Sequence, residues 1–480
     1  MLEMKYIDIK RILSIALLAC LLVIGVFSQE ETNLIDKETN PAAAVGFDME
    51  PGAIEWVASL ATEIWYFLCC VLMVFIHVGF MAYEGGAVRS KNVLATMMKN
   101  LLTICSVGLA FFLIGWWIYM ALYDWPFSFD SKGAASGAPW STLMGTHLGD
   151  SITPLFVWAF ALFAMTTASI LSGACVERIK MGAYIFFTII LGGILWTVAA
   201  AWGWHPSGWW LTKWGFHDFG CAVVVHGLAG FFTLGVLFNL GPRKGKYKDG
   251  KPRPILPHNL PLTMLGLWLI YAGFFGFLGA CVILGPGSIF EVTAFGMPMT
   301  IAGLTANIFM SMIGGFFGSY VGSKGDTFFT MSGGLAGIIG TSAGMDLYSP
   351  MLTLLLAFGV GVAMPYVASF LERVVKVDDA VGAVAVHGFS GLVSVPLAGI
   401  FLAGYPNAGG APAINLMGQL AGTVIACGLL GFLPGWGISY LLKKLNLLRV
   451  DEEVEDAGLD VTELGVPGYP ERDIISSTTY

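Results

Sequence analysis

Asp218-Phe-Gly-Cys-Ala-Val-Val-Val-His226-Gly-Leu-Ala-Gly230 and Asp379-Ala-Val-Gly-Ala-Val-Ala-Val-His387-Gly-Phe-Ser-Gly391 carry one pattern twice. Each begins with Asp, reaches His eight residues later and closes with Gly-x-x-Gly. Both lie inside long apolar runs. A regular helix rises about 12 Å over eight residues and turns about 80° beyond two full turns. Each Asp is therefore expected near a membrane face and each His near the middle. A polar side chain at that depth is costly, so an intramembrane His is a functional candidate by default. A single buried His more often only ties helices together. Two in matching positions of a repeat point to function, and His226 and His387 are expected to approach each other.

The surrounding composition sets the class. The chain has 480 residues, 56% hydrophobic and 12% charged. Soluble domains carry roughly a quarter charged residues. The apolar residues fall in runs of around 20, the length that crosses about 30 Å of hydrocarbon. The 62 glycines sit within those runs, as expected where helices pack closely through small residues. A net charge of -8 argues against a nucleic-acid partner. The eight cysteines lie in apolar runs without disulfide or metal-ligand spacing.

Eleven spans are expected, at 60–83, 95–122, 153–176, 181–203, 218–241, 259–283, 298–322, 327–345, 350–371, 380–403 and 415–442. The two histidine segments fall on the fifth and tenth. Five spans per half make the halves opposite in orientation. This is an inverted five-plus-five repeat with an extra C-terminal helix, a design that places substrate sites where the halves meet. The fold class is thus an all-α polytopic membrane protein.

Ahead of these spans, Lys5, Lys10 and Arg11 precede the apolar run Ile12 to Phe27, with small residues Val26 and Ser28 beside it. This reads as a signal peptide over 1–28; the competing reading is a retained first helix. Residues 29–58 then form an extracytoplasmic segment, 59–443 the transmembrane domain and 444–480 a cytoplasmic tail. Loop charge supports that orientation. Arg89, Lys91, Arg178, Lys180, the cluster from Arg243 to Arg253, Lys324, Arg373, Lys376, Lys443 and Lys444 share one side. Basic loops stay in the cytoplasm. The N-terminus is expected outside and the C-terminus inside, in the cell's inner membrane.

Further stretches make the chain recognisable. Tyr83-Glu84-Gly85-Gly86-Ala87-Val88-Arg89-Ser90-Lys91-Asn92, the two histidine segments, Pro257-His258-Asn259-Leu260-Pro261 and the tail Arg449 to Glu455 with Gly458-Leu459-Asp460 resemble the ammonium transporter (Amt/Mep/Rh) family. The resemblance is to the Amt branch and covers nearly the whole chain after the signal segment. It implies a homotrimer in membrane lipid, each subunit with its own narrow apolar pore for ammonium and ammonia. His226 and His387 would be the twin pore histidines, and Asp218 would support an outer recruitment site. Phe163, placed by its distance from Glu177-Arg178, and Phe277, placed by its distance from Asn259-Leu260-Pro261, would form a stacked gate. Trp204 would be the outer aromatic wall.

Some positions depart from the family pattern. Leu278 stands where an asparagine is common, and Cys281 where many members have a serine that helps hold the cation. Ala159 replaces an aromatic one turn from the gate, and Leu464 replaces a histidine in the tail. The tail otherwise implies a PII-type signalling protein as partner.

The mechanism follows from the chemistry of the ion. Ammonium is the size of potassium, so size cannot select it. An aromatic face stabilises a cation by about 0.5–2 kcal/mol, and four N–H donors need acceptors. A bare charge in an apolar pore costs several kcal/mol at least. Deprotonation at an outer site, with neutral ammonia crossing, is the cheaper route. Neutral imidazole carries both a donor and an acceptor and shuttles protons near physiological pH. Two alternatives stay open: an ammonium sensor of the same fold, and an Rh-type electroneutral gas channel. No phosphate loop, metal cluster or nucleophile–base pair is seen, so no enzyme, cofactor or metal is expected.

Overall fold

The computed structural model describes residues 53–141, 153–282, 300–407 and 411–470. The signal segment and most of the segment before the spans lie outside the described residues, as does His147. Apolar runs become helices because lipid supplies no partner for backbone N–H and C=O groups. The helices are α1 Ala53–Ala87, α2 Ser90–Ala121, α3 Leu155–Cys175, α4 Met181–Gly203, α5 Ala222–Leu240, α6 Leu260–Gly279 and α7 Ile301–Gly322. Then follow α8 Thr327–Ser342, α9 Pro350–Val375, α10 Val384–Phe401 and α11 Leu416–Lys444. Ten of these are long and apolar enough to cross a membrane among the described residues. The eleventh, α8, holds the place of the expected eighth span with only 16 residues.

Helix α8 is short because protein, not lipid, surrounds it. Every residue from Met331 to Ser342 is buried. Its glycines admit neighbouring backbones: a Cβ on Gly337 would stand 2.8 Å from the Gly315 Cα of α7. By contrast, α1, α7 and α9 expose large apolar side chains such as Phe67, Phe317 and Leu355. That apolar outer surface is what a bilayer solvates.

Some helix boundaries differ from expectation. Helix α1 begins at Ala53, inside the stretch assigned to the extracytoplasmic segment. Helix α5 begins only at Ala222, after an irregular stretch that places Cys221 in the left-handed region at φ 59. A regular helix from Asp218 to His226 is therefore not what forms. The backbone N–H groups of Phe219 and Gly220 instead bond the Ala343 and Ser342 carbonyls at the end of α8, at 3.0 and 2.9 Å. Both histidine stretches, Ala222–Gly227 and Val384–Phe389, are π-helical, a wide turn common at functional sites.

The tail folds back across the loops at one face. Ile179 and Arg449 pair as an isolated antiparallel bridge. Asp460 accepts the N–H groups of Leu94 and Ala95, at 3.1 and 2.8 Å, at the start of α2. Lys91 Nζ donates to the Glu455 and Asp456 carbonyls. Leu464 packs with Ala95, Val450 and Leu459, so the departure from histidine gives the tail an apolar anchor. The basic residues here fasten the face as well as charge it. Arg243 holds Asp378 through Nε and Nη2, each at 2.9 Å, and buried Arg178 donates to the Gly241 and Asp378 carbonyls. Burial alone would push Asp378 up; Arg178 and Arg243 outweigh it and hold the carboxyl well below the usual range.

Candidate functional site

The repeated motif builds one centre from two helices. Asp218 accepts the N–H groups of Ala222, Val223 and Val224 at 2.6, 2.9 and 3.0 Å. Asp379 does the same for Ala383, Val384 and Ala385 at 2.8, 2.7 and 3.4 Å. Each carboxylate satisfies the orphan donors of a helix start. Asp218 thus acts through backbone, setting where α5 begins.

The glycines then let the helices cross. A Cβ on Gly388 would stand 3.3 Å from the Gly230 Cα, and one on Gly391 only 2.5 Å from the Gly227 nitrogen. The second is closer than side chains tolerate, and the first is tight. The crossing brings His226 Nδ1 to 3.0 Å from His387 Nδ1, with ring centroids 5.2 Å apart and nearly parallel planes. Both rings are buried. One Nδ1 must donate and the other accept, so the two neutral rings hold opposite tautomers. One Nε2 then presents a lone pair and the other an N–H.

Aromatic rings continue from His226 in one direction. Phe277 lies 5.7 Å from it and meets Phe163 at 4.4 Å. That pair is edge-to-face, at an interplanar angle of 71°. Aromatic pairs prefer this geometry because the positive edge of one ring meets the negative face of the other. Trp204 stands 5.0 Å from Phe163, its indole Nε1 donating to the Asp218 carbonyl at 3.0 Å. Cys281 lies one turn beyond Phe277 and its thiol donates to the Phe277 carbonyl at 3.3 Å. Leu278 packs against Gly220, where a Cβ would meet its Cδ2 at 2.6 Å.

Three residues escaped the sequence reading. Phe160 lies 5.3 Å from Trp204 and 6.1 Å from Phe163, one residue after the buried Ala159. Phe274 stacks on His226 at 5.9 Å, and Phe80 approaches His387 at 6.1 Å. Phe160 and Phe274 each precede a gate phenylalanine by three residues, a spacing that shares a helix face. That signal was available. Phe80 comes from α1 and had none.

The remaining described histidines have plain partners. His77 lies 3.4 Å from the Ser169 hydroxyl, a helix–helix contact. His205 stacks on Tyr123 at 4.3 Å. His217 pairs with Asp346 at 3.1 Å, and His258 joins the Val88 carbonyl to the Tyr469 hydroxyl.

Fold and centre define a multi-pass α-helical membrane protein with a buried imidazole pair at a helix crossing. Residues 64–469 match the model of the Ammonium Transporter Family, and the chain belongs to that family of transporters. It is 34% identical to the ammonium transporter Amt2 of Methanocaldococcus jannaschii over 424 residues, 86% of this chain and 93% of that protein. It is 30% identical to Amt2 of Archaeoglobus fulgidus, covering 85% and 88%. Among solved structures, a protein titled Sensor Amt Protein superposes with TM-score 0.73 at 25% identity, over 85% of this chain and 99% of that one. Candida albicans Mep2 shares the fold, with TM-score 0.68 at 20% identity, over 88% and 92%.

Proposed function

We propose that this chain moves ammonium across the membrane by deprotonating it at the end of the ring column and passing ammonia along the histidine pair. The 3.0 Å contact between His226 and His387 carries the reading. Trp204 and Phe160 offer π faces to an arriving cation, worth about 0.5–2 kcal/mol. Asp218, bound to backbone donors, lends negative charge there without touching the ion. The Cys281 thiol takes the place of a hydroxyl acceptor. Phe163 and Phe277 keep bulk water and bare ions out, because a charge among these rings forfeits its hydration. Ammonia fits beyond them, since it both donates and accepts hydrogen bonds. The paired tautomers present it with a lone pair at one ring and an N–H at the other. The shared proton gives a route for charge to follow.

The ring column opens outside and the tail face lies in the cytoplasm, following the basic loops. Residues 1–28 are the removed signal, 29–58 the outer segment, 59–443 the transporting domain and 444–480 the tail. The working form is a homotrimer in the inner membrane, without enzymatic activity, cofactor or metal. A PII-type signalling protein is the partner proposed for the tail.

His226→Ala and His387→Ala, reconstituted in liposomes, test the reading. Each is expected to lose selective, proton-coupled ammonium current. Wild-type current with potassium still excluded in either variant refutes it. Wild-type protein that binds ammonium without current points to sensing, and uptake without current to an electroneutral channel.

A further inference from the structure

On the other side of the histidine pair, toward the tail, lies a small cavity. His387, Phe80, Tyr83, Glu84, Ser332 and Val381 are among its walls, and it has room for about one water molecule. Glu84 is the acid there. It sits on α1, three residues before the helix ends, and is 1% exposed. Ser172 Oγ donates to its Oε1 at 2.5 Å and Asn100 Nδ2 to its Oε2 at 2.7 Å. Gly173 of α3 makes room for it, since a Cβ there would stand 3.0 Å from Oε1. An ionisable group inside a span is costly to keep unless it serves a purpose. The titratable neighbours are Tyr83, Lys99, Cys175 and Tyr184. Lys99 in turn lies 3.6 Å from Glu463 of the tail.

We propose that Glu84 is the inner proton acceptor of this transporter. The proposal rests on the histidine pair being the conducting centre. When His387 holds the extra proton, its N–H bond breaks toward a water in the cavity. That water gives one of its own protons to the Glu84 carboxylate. A neutral imidazole, an intact water and a carboxylic acid result. Release of the acid proton to the tail-side solution regenerates the carboxylate, so one charge has moved and no electron has.

A purely structural Glu84 would tie α1, α2 and α3 through two donors. Glu84→Gln keeps shape and abolishes ionisation; its amide oxygen can still accept from Asn100, while its NH2 must donate to the Ser172 hydroxyl, which then accepts. In proteoliposomes on a solid-supported membrane, with an ammonium jump, Glu84→Gln is expected to lose at least tenfold in current. Its melting temperature should stay near that of wild type. Ser172→Ala, which removes one donor to the carboxylate, is expected to keep current and shift the pH at which it is half-maximal. Undiminished current in Glu84→Gln, or an unmoved pH profile in Ser172→Ala, overturns the proposal. Should Glu84→Gln fail to fold, the Ser172→Ala profile decides alone. A wild type without current overturns the transport reading and this one with it; the variant results overturn only this one.

Discussion

Gly230 and Gly388 meet Cα against backbone, one from each half of the repeat. A Cβ on Gly388 would stand 3.3 Å from the Gly230 Cα, and a Cβ on Gly230 would overlap Gly388. The histidines lie one residue before Gly388 and four before Gly230. The distance between the rings is therefore set by two missing methyl groups.

Gly230→Ala should force α5 and α10 apart and separate the imidazoles. Overpacking of this kind typically destabilises by about 1–3 kcal/mol. The expected result is a lowered melting temperature with uptake reduced more than tenfold. Gly437→Ala on α11, where a Cβ meets nothing within 4 Å, should change neither. Labelled methylammonium uptake and thermal melts on both variants check this. Normal uptake in Gly230→Ala would show that the crossing tolerates more space than its geometry allows.

Asp378 couples stability to pH at the tail face. Its carboxyl is held well below the usual range by Arg178 and Arg243, which outweigh the opposing effect of burial. The sign follows: the stabilisation is complete above the unfolded value of about 4 and is lost as pH falls through the folded one. Melting temperature should decline on acidification below about pH 4. Asp378→Asn leaves two buried arginines without their carboxylate, a loss of about 3–5 kcal/mol. That variant should melt lower and lack this acid-dependent component.

Asp460 fixes the tail to the start of α2 through Leu94 and Ala95. A lost cap costs about 0.5–2 kcal/mol. Asp460→Ala should release the tail while the helices stay folded. Faster hydrogen exchange across 450–464, with protection of α5 and α10 unchanged, is the expected pattern. Unchanged exchange in the tail would mean that Lys91, Glu455 and the apolar anchor around Leu464 hold it without Asp460.

Much of this could be read before any coordinates. Helix α4, Met181–Gly203, stands where the apolar run placed it, because lipid leaves a run of that length little choice but a helix. The repeat named both histidines and both capping carboxylates, since a duplicated polar group inside an apolar run has few innocent explanations. The family resemblance assigns Phe163 and Phe277 to a gate by their distance from its motifs, and the two rings touch.

What failed was what depends on neighbours. The short helix α8 is tolerated only because α7, α9 and α10 surround it. The irregular entry to α5 forms because the Ser342 and Ala343 carbonyls take the Phe219 and Gly220 donors. No local pattern announces either.

The amino-acid order by itself therefore determined the membrane class, the inverted repeat and the residue types at its heart, because periodicity and hydropathy act along the chain. Only the tertiary structure decided that Phe163 and Phe277 meet edge-on, that Phe80 approaches His387, that Glu84 and His387 line one cavity, and that the tail closes over the loops. Those relations join residues from separate helices, and the packing that selects them exists only once the helices have assembled.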